Sequence, residues 1–137
     1  KTTAEKVAHL VKFVQTYIED DYRANPLTLL DILAKRKGDC SEHARLFTAL
    51  ARALSIPCRD VSGLMYVGDT EKGFYPHAWN EVVLDGYWHP VDPTWGQTTI
   101  DATHIRFSVD ENEMFQIIGM VPDMKIVVLE FVTQKMI

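Results

Sequence analysis

Asp85-Gly86, set between residues 77–84 and 87–94, constrains the fold of this chain more than any other feature. An Asp-Gly pair between two β-prone runs predicts a hairpin with a two-residue type I′ turn, because both central residues need positive φ. A two-residue loop fixes the register. Leu84 then faces Tyr87, Trp79 faces Asp92 and His77 faces Thr94. Alternate side chains share a face, so His77, Trp79, Asp92 and Thr94 are expected on one side of the sheet. Asp92 becomes a diagonal neighbour of His77, roughly 7–8 Å away along the backbone, and its carboxylate can reach an imidazole N–H. Pro90 and Pro93 lack a backbone donor, which predicts an edge position or a bulge for the second strand.

The second constraint is Lys37-Gly38-Asp39-Cys40-Ser41-Glu42-His43-Ala44. Gly38 breaks what precedes it, and Asp39 followed by Glu42 reads as a capping box with Asp39 as N-cap. Cys40 is then the first helical residue. Its sulfur faces unpaired backbone N–H groups and the positive end of the helix dipole, which favour thiolate over thiol. Asp39 and Glu42 oppose that effect with their own charge. A cysteine at a helix start needs an imidazole to share its proton, and the imidazole needs an acceptor that fixes its tautomer. Cys40, His77 and Asp92 supply those three chemistries, provided the helix packs end-on to the hairpin face.

Here the chain resembles the transglutaminase-like superfamily, whose core shares the papain-like cysteine-proteinase architecture. The resemblance runs from about Pro26 to Thr94. It rests on Gly38-Asp39-Cys40 with its Ala-rich helix, on the stretch from Leu50 to Arg59 containing Ile56-Pro57, on His77-Ala78-Trp79-Asn80-Glu81-Val82, and on Trp88-His89-Pro90-Val91-Asp92-Pro93-Thr94. Cys58 stands where the family usually has a small residue after the Ile-Pro pair. The resemblance implies Cys40 as nucleophile, His77 as general base and acid, and Asp92 as the orienting carboxylate. It also implies an α+β papain-like/transglutaminase-core fold, with a central helix carrying Cys40 packed against an antiparallel sheet.

Composition and patterning agree with one soluble globular domain over residues 1–137, large enough for a real core. A net charge of −5 argues against a nucleic-acid face, and the basic run Lys35-Arg36-Lys37 reads as a helix end complementing its dipole. No apolar run is long enough to span a membrane, and no signal peptide is visible. A chain starting at Lys1 without methionine is expected to be a mature product or a domain of a longer protein with flanking domains. Two cysteines make no disulfide framework.

Helices are expected first. Thr2 and Glu5 cap one that carries a stripe of Val7, Leu10, Val11, Val14 and Ile18. Asn25-Pro26 opens a second with Leu30 and Leu33, and Gly38 ends that region. The Cys40 helix runs to about Leu54 and places Leu46, Phe47, Leu50 and Leu54 on one stripe. Strands are expected over residues 56–67, in the hairpin, over residues 105–107 and over residues 125–132. Ser108 and Glu111 cap a short helix ending near Gly119. Helices followed by antiparallel strands make an α+β domain.

His43 lies one turn beyond Cys40 and reads as a partly buried helix residue. Trp79 shares the His77 face as packing or as a shield for the His77–Asp92 bond. His89 falls on the opposite face, and His104 carries no motif and receives no role. The backbone N–H of Cys40 is the natural first oxyanion donor, with Tyr22 a candidate second. The expected function is acyl transfer on a protein or peptide amide through a Cys40 thioester. Water gives hydrolysis, the simpler outcome for a compact domain, and an amine gives a cross-link. The alternative is a non-catalytic interaction module that keeps the fold. A zinc site of Cys40, His43, His77 and Asp92 lacks the close Cys/His pairs of structural zinc sites, so no metal and no cofactor are expected.

Overall fold

A computed structural model describes residues 1–22, 25–68, 72–109, 116 and 119–133. Helix α1 (Thr3–Tyr17) begins at the Thr2/Glu5 capping box and buries Val7, Val11 and Val14. A short strand β1 (Glu19–Asp20) pairs in parallel with β2 (Lys37–Gly38), and helix α2 (Leu29–Lys35) lies between them in sequence. Helix α3 (Cys40–Ala53) follows and packs on α1, α2 and the main sheet. That sheet is antiparallel, in the order β5 (Tyr87–Val91), β4 (Phe74–Leu84), β3 (Cys58–Tyr66), β6 (His104–Ser108). One core joins the layers: Val11, Val14 and Ile18 from the α1 region, Ile32 from α2, Leu46, Phe47 and Ala51 from α3, and Cys58, Val82 and Val91 from the sheet. The architecture is α+β, with the cysteine helix laid against an antiparallel sheet.

The hairpin turn has the type I′ signature, with Asp85 at φ 51° and Gly86 at φ 83°. Pairing runs from Leu84↔Tyr87 to Asn80↔Val91, and β5 is an edge strand, where Pro90 needs no donor. The ladder then stops short of the expected Trp79–Asp92 and His77–Thr94 pairs. Pro93 has no N–H to continue it, and the chain turns so that Asp92 exchanges two backbone hydrogen bonds of 2.8 Å with Gln97.

Other expectations are corrected. Helix α2 starts at Leu29 rather than Pro26, because Thr28 and Asp31 form its capping box. It buries Ile32 and leaves Leu30 and Leu33 exposed, and Lys37-Gly38 forms a strand rather than a break. In α3, Leu46 and Phe47 are buried but Leu54, its C-cap, is exposed. Residues 125–132 are not a strand; they are irregular and exposed. Apolar β-prone residues form a ladder only beside another strand, and among the described residues none lies alongside. Ser108 is the last residue of β6, and the helix start expected from Ser108 and Glu111 lies outside the described residues; Gln116, Gly119 and Met120 are helical.

Candidate functional site

The α3 start is built as its capping box dictates. Asp39 Oδ1 accepts the Ser41 N–H at 2.8 Å, and Glu42 Oε2 accepts the Asp39 N–H at 2.8 Å. Gly38 makes this possible: a Cβ there would lie 2.4 Å from Glu42 Cβ. The Glu42 carboxyl is pushed up, first by burial and then by its contact with Asp39. His43 is buried, with Nδ1 2.7 Å from the Asp39 carbonyl oxygen and Nε2 3.5 Å from Asp20 Oδ1, so it ties the helix start to β1. Asn80 of β4 holds the next turns, its Nδ2 donating to the Ala44 carbonyl at 3.0 Å and to Thr48 Oγ1 at 2.9 Å. Cys40 is thus fixed at the helix N-terminus, half-buried, with a free thiol.

His77 projects from β4 and is buried. Its Nε2 donates to Asp92 Oδ2 at 2.7 Å, and the Cys40 side chain lies near enough to strengthen its hold on a proton. With Nε2 turned to Asp92, Nδ1 is the nitrogen left for the sulfur. Burial by itself lowers the His77 pKa. The hydrogen bonds with Asp92 and then Cys40, and the charges of both, outweigh it and raise the value to about 9. Asp92 is fully buried just past β5. Its Oδ1 accepts the Thr94 N–H at 3.0 Å and the Trp95 N–H at 3.4 Å in an Asx-type turn. Burial disfavours its charge, but hydrogen bonds from His104 and His77 hold it ionised, at about 2.

His104, which sequence reasoning left without a role, donates from Nε2 to the same Asp92 Oδ2 at 2.7 Å. It comes from β6, where Met65 of β3 is its partner, and neither motif nor spacing links it to Asp92. Trp79 stacks on His77 at 5.9 Å and meets His104 edge-on at 5.1 Å, so one indole covers both imidazoles. Gly63 lets β3, β4 and β6 converge here: a Cβ would fall 2.0 Å from the Ile105 carbonyl oxygen and 2.7 Å from the Trp79 ring.

The remaining residues sort clearly. Tyr22 is 71% exposed; its phenol is pushed up by partial desolvation, then by the charges of Asp20, Cys40 and Asp39, which sets it at the Cys40 end of the site. His89 Nε2 pairs with the Thr98 carbonyl at 3.0 Å, apart from the His77 bonds. Cys58 is buried, and burial above all pushes its thiol up to about 11. His77, Asp92 and His104 each offer a metal-ligand atom, all within 4.8 Å of one another, but both ring nitrogens are already directed at one oxygen of Asp92. The set Cys40, His43, His77 and Asp92 is not assembled as zinc ligands, because His43 faces Asp39 and Asp20. The arrangement supports proton movement between a thiol and an imidazole backed by a buried carboxylate.

Comparison with known proteins identifies the family and the fold. The sequence profile described as the transglutaminase-like superfamily matches residues 1–93. The Kyphoscoliosis peptidase of Mus musculus is 34% identical over 115 residues, 80% of this chain and 17% of that protein. The Kyphoscoliosis peptidase of Homo sapiens is 36% identical over 90 residues, 62% of this chain and 14% of that protein. The chain therefore spans less than a fifth of the length of these relatives. Among solved structures, a protein of Cytophaga hutchinsonii described as a candidate cysteine protease aligns with a TM-score of 0.65 at 24% identity, over 79% of this chain and 36% of that one. A TGase aligns with a TM-score of 0.56 at 19% identity, over 84% of this chain and 31% of that one. Both share the fold, and the mixed helix-and-sheet architecture is that of papain-like and transglutaminase proteins.

Proposed function

The chain belongs to the transglutaminase-like superfamily, and from that premise we propose that it performs thiol-dependent acyl transfer on protein or peptide amides, with Cys40 as nucleophile, His77 as acid and base, and Asp92 as the carboxylate that orients His77. One observation carries the reading: His77 is hydrogen-bonded at 2.7 Å to the buried Asp92, and the Cys40 side chain on its other side also favours its protonated form. Cys40 Sγ attacks the amide carbonyl carbon, and the C–S bond forms as the oxygen takes the negative charge. The Cys40 N–H at the helix start is one donor to that oxygen, and Tyr22 is the candidate for a second. The C–N bond breaks as His77 gives its proton to the leaving nitrogen, and a thioester remains. Water or an amine then attacks the thioester, returns a proton to His77 and expels the Cys40 thiolate. Asp92 keeps the imidazole turned toward the sulfur and steadies its protonated form.

The test is to incubate the protein with a panel of peptide amides and thiol-reactive peptide probes and to read covalent mass at Cys40. The proposal expects acyl adducts at Cys40 in the parent and their loss in His77→Ala. A folded parent with no adduct at Cys40 from any probe would contradict it and leave the fold as a non-catalytic interaction module.

A further inference from the structure

Asp92 meets four donors, and two of them contend for one atom. Its ionised carboxylate accepts only, so both nitrogens that face Oδ2, His77 Nε2 and His104 Nε2, must carry protons. His104 is held there from behind. Its Nδ1 lies 3.0 Å from Thr103 Oγ1, a hydroxyl whose one proton is shared between that nitrogen and Asp101 Oδ1 2.6 Å away, and the Thr103 N–H donates to the same Asp101 oxygen at 3.0 Å. Trp79 meets the His104 ring edge-on at 5.1 Å, and the His77 ring is 5.7 Å away. Three contacts thus prevent His104 from swinging off Asp92. A buried satisfied histidine needs only one such partner; this one is clamped onto the oxygen that serves His77.

Building on the acyl-transfer reading above, we propose that His104 is a positioning residue that competes with His77 for Asp92 Oδ2, weakening the Asp92–His77 bond so that His77 can release its proton to a leaving group. A hydrogen bond to a carboxylate stabilises its charge and lowers its pull on any other donor. The groups that face His77 are Cys40 from α3, Asp92 after β5 and His104 from β6, with the neutral Trp79 ring on its own strand. Cys40 and Asp92 both strengthen its hold on the proton, and His104 opposes them. A general acid that holds its proton too tightly donates poorly near neutral pH.

The experiment is histidine side-chain NMR on the full chain. In the parent at pH 7, the imidazole ¹H–¹⁵N spectrum is expected to show protonated Nε2 on both His77 and His104. In His104→Phe, which keeps ring packing against Trp79 and removes the donor, the His77 titration midpoint is expected to rise by about one pH unit. His104→Gln, which restores an N–H toward Oδ2, is expected to bring it most of the way back. A midpoint unmoved or lowered in His104→Phe overturns the proposal, as does an unprotonated His104 Nε2 in the parent. If His104→Phe does not fold, the parent spectrum and His104→Gln decide. Adducts at Cys40 distinguish this from the broader reading: adducts with an unmoved His77 midpoint defeat only the role of His104, and a shifted midpoint without adducts defeats only acyl transfer.

Discussion

At the residue scale, Asp92 is where most of the site's chemistry meets. Asp92→Asn keeps the shape, but an amide presents an N–H where His77 and His104 require an acceptor, so the His77 tautomer is no longer fixed. Turnover of any amide that labels Cys40 should fall by about 10⁴, the scale of the same change in a serine triad. Full turnover in that variant would remove Asp92 from its orienting role. The His77–Asp92 proximity was legible in the sequence because an Asp-Gly turn fixes a register and strand side chains alternate. His104 was not legible, because it reaches Asp92 from a strand whose register depends on a bulge between Ser62 and Gly63. No local pattern encodes that shift. The expectation that Asp92 stays within the ladder failed for an equally local reason, the missing N–H of Pro93.

At the scale of elements, capping chemistry located α1 and α3 to the residue, since Thr2/Glu5 and Asp39/Glu42 each satisfy their own backbone donors. It misplaced α2, where a proline drew the boundary to Pro26 while the capping box sat at Thr28 and Asp31. The convergence of β3, β4 and β6 depends on Gly63. Gly63→Ala should push β6, and His104 with it, away from Trp79 and cost on the order of 3 kcal/mol. Urea unfolding measures the loss, and unchanged stability would mean that the strands have room the structure does not show. The strand expected over residues 125–132 shows the limit of propensity. Valine, isoleucine and phenylalanine report a surface that suits burial in a sheet, and only a neighbouring strand turns that into structure.

At the scale of the molecule, the buried His77–Asp92 pair links stability to pH. His77 is raised from about 6.5 to about 9 on folding, so its contribution is complete below about pH 6.5 and is lost as pH rises through about 9. Asp92 is lowered to about 2, so its contribution is complete above about pH 4 and is lost as pH falls toward about 2. Urea unfolding between pH 2 and 10 should show a plateau between those limits and falls on the order of 2 kcal/mol on either side. Asp92→Asn should flatten both flanks. The most direct test of the account is the alkylation rate of Cys40 by iodoacetamide at pH 6, compared with an unstructured peptide carrying the same residues 37–44. The account predicts that Cys40 in the folded protein reacts at least tenfold faster than the peptide, and that His77→Ala removes the advantage. Equal rates for protein and peptide, or a fast Cys40 in His77→Ala, would contradict it.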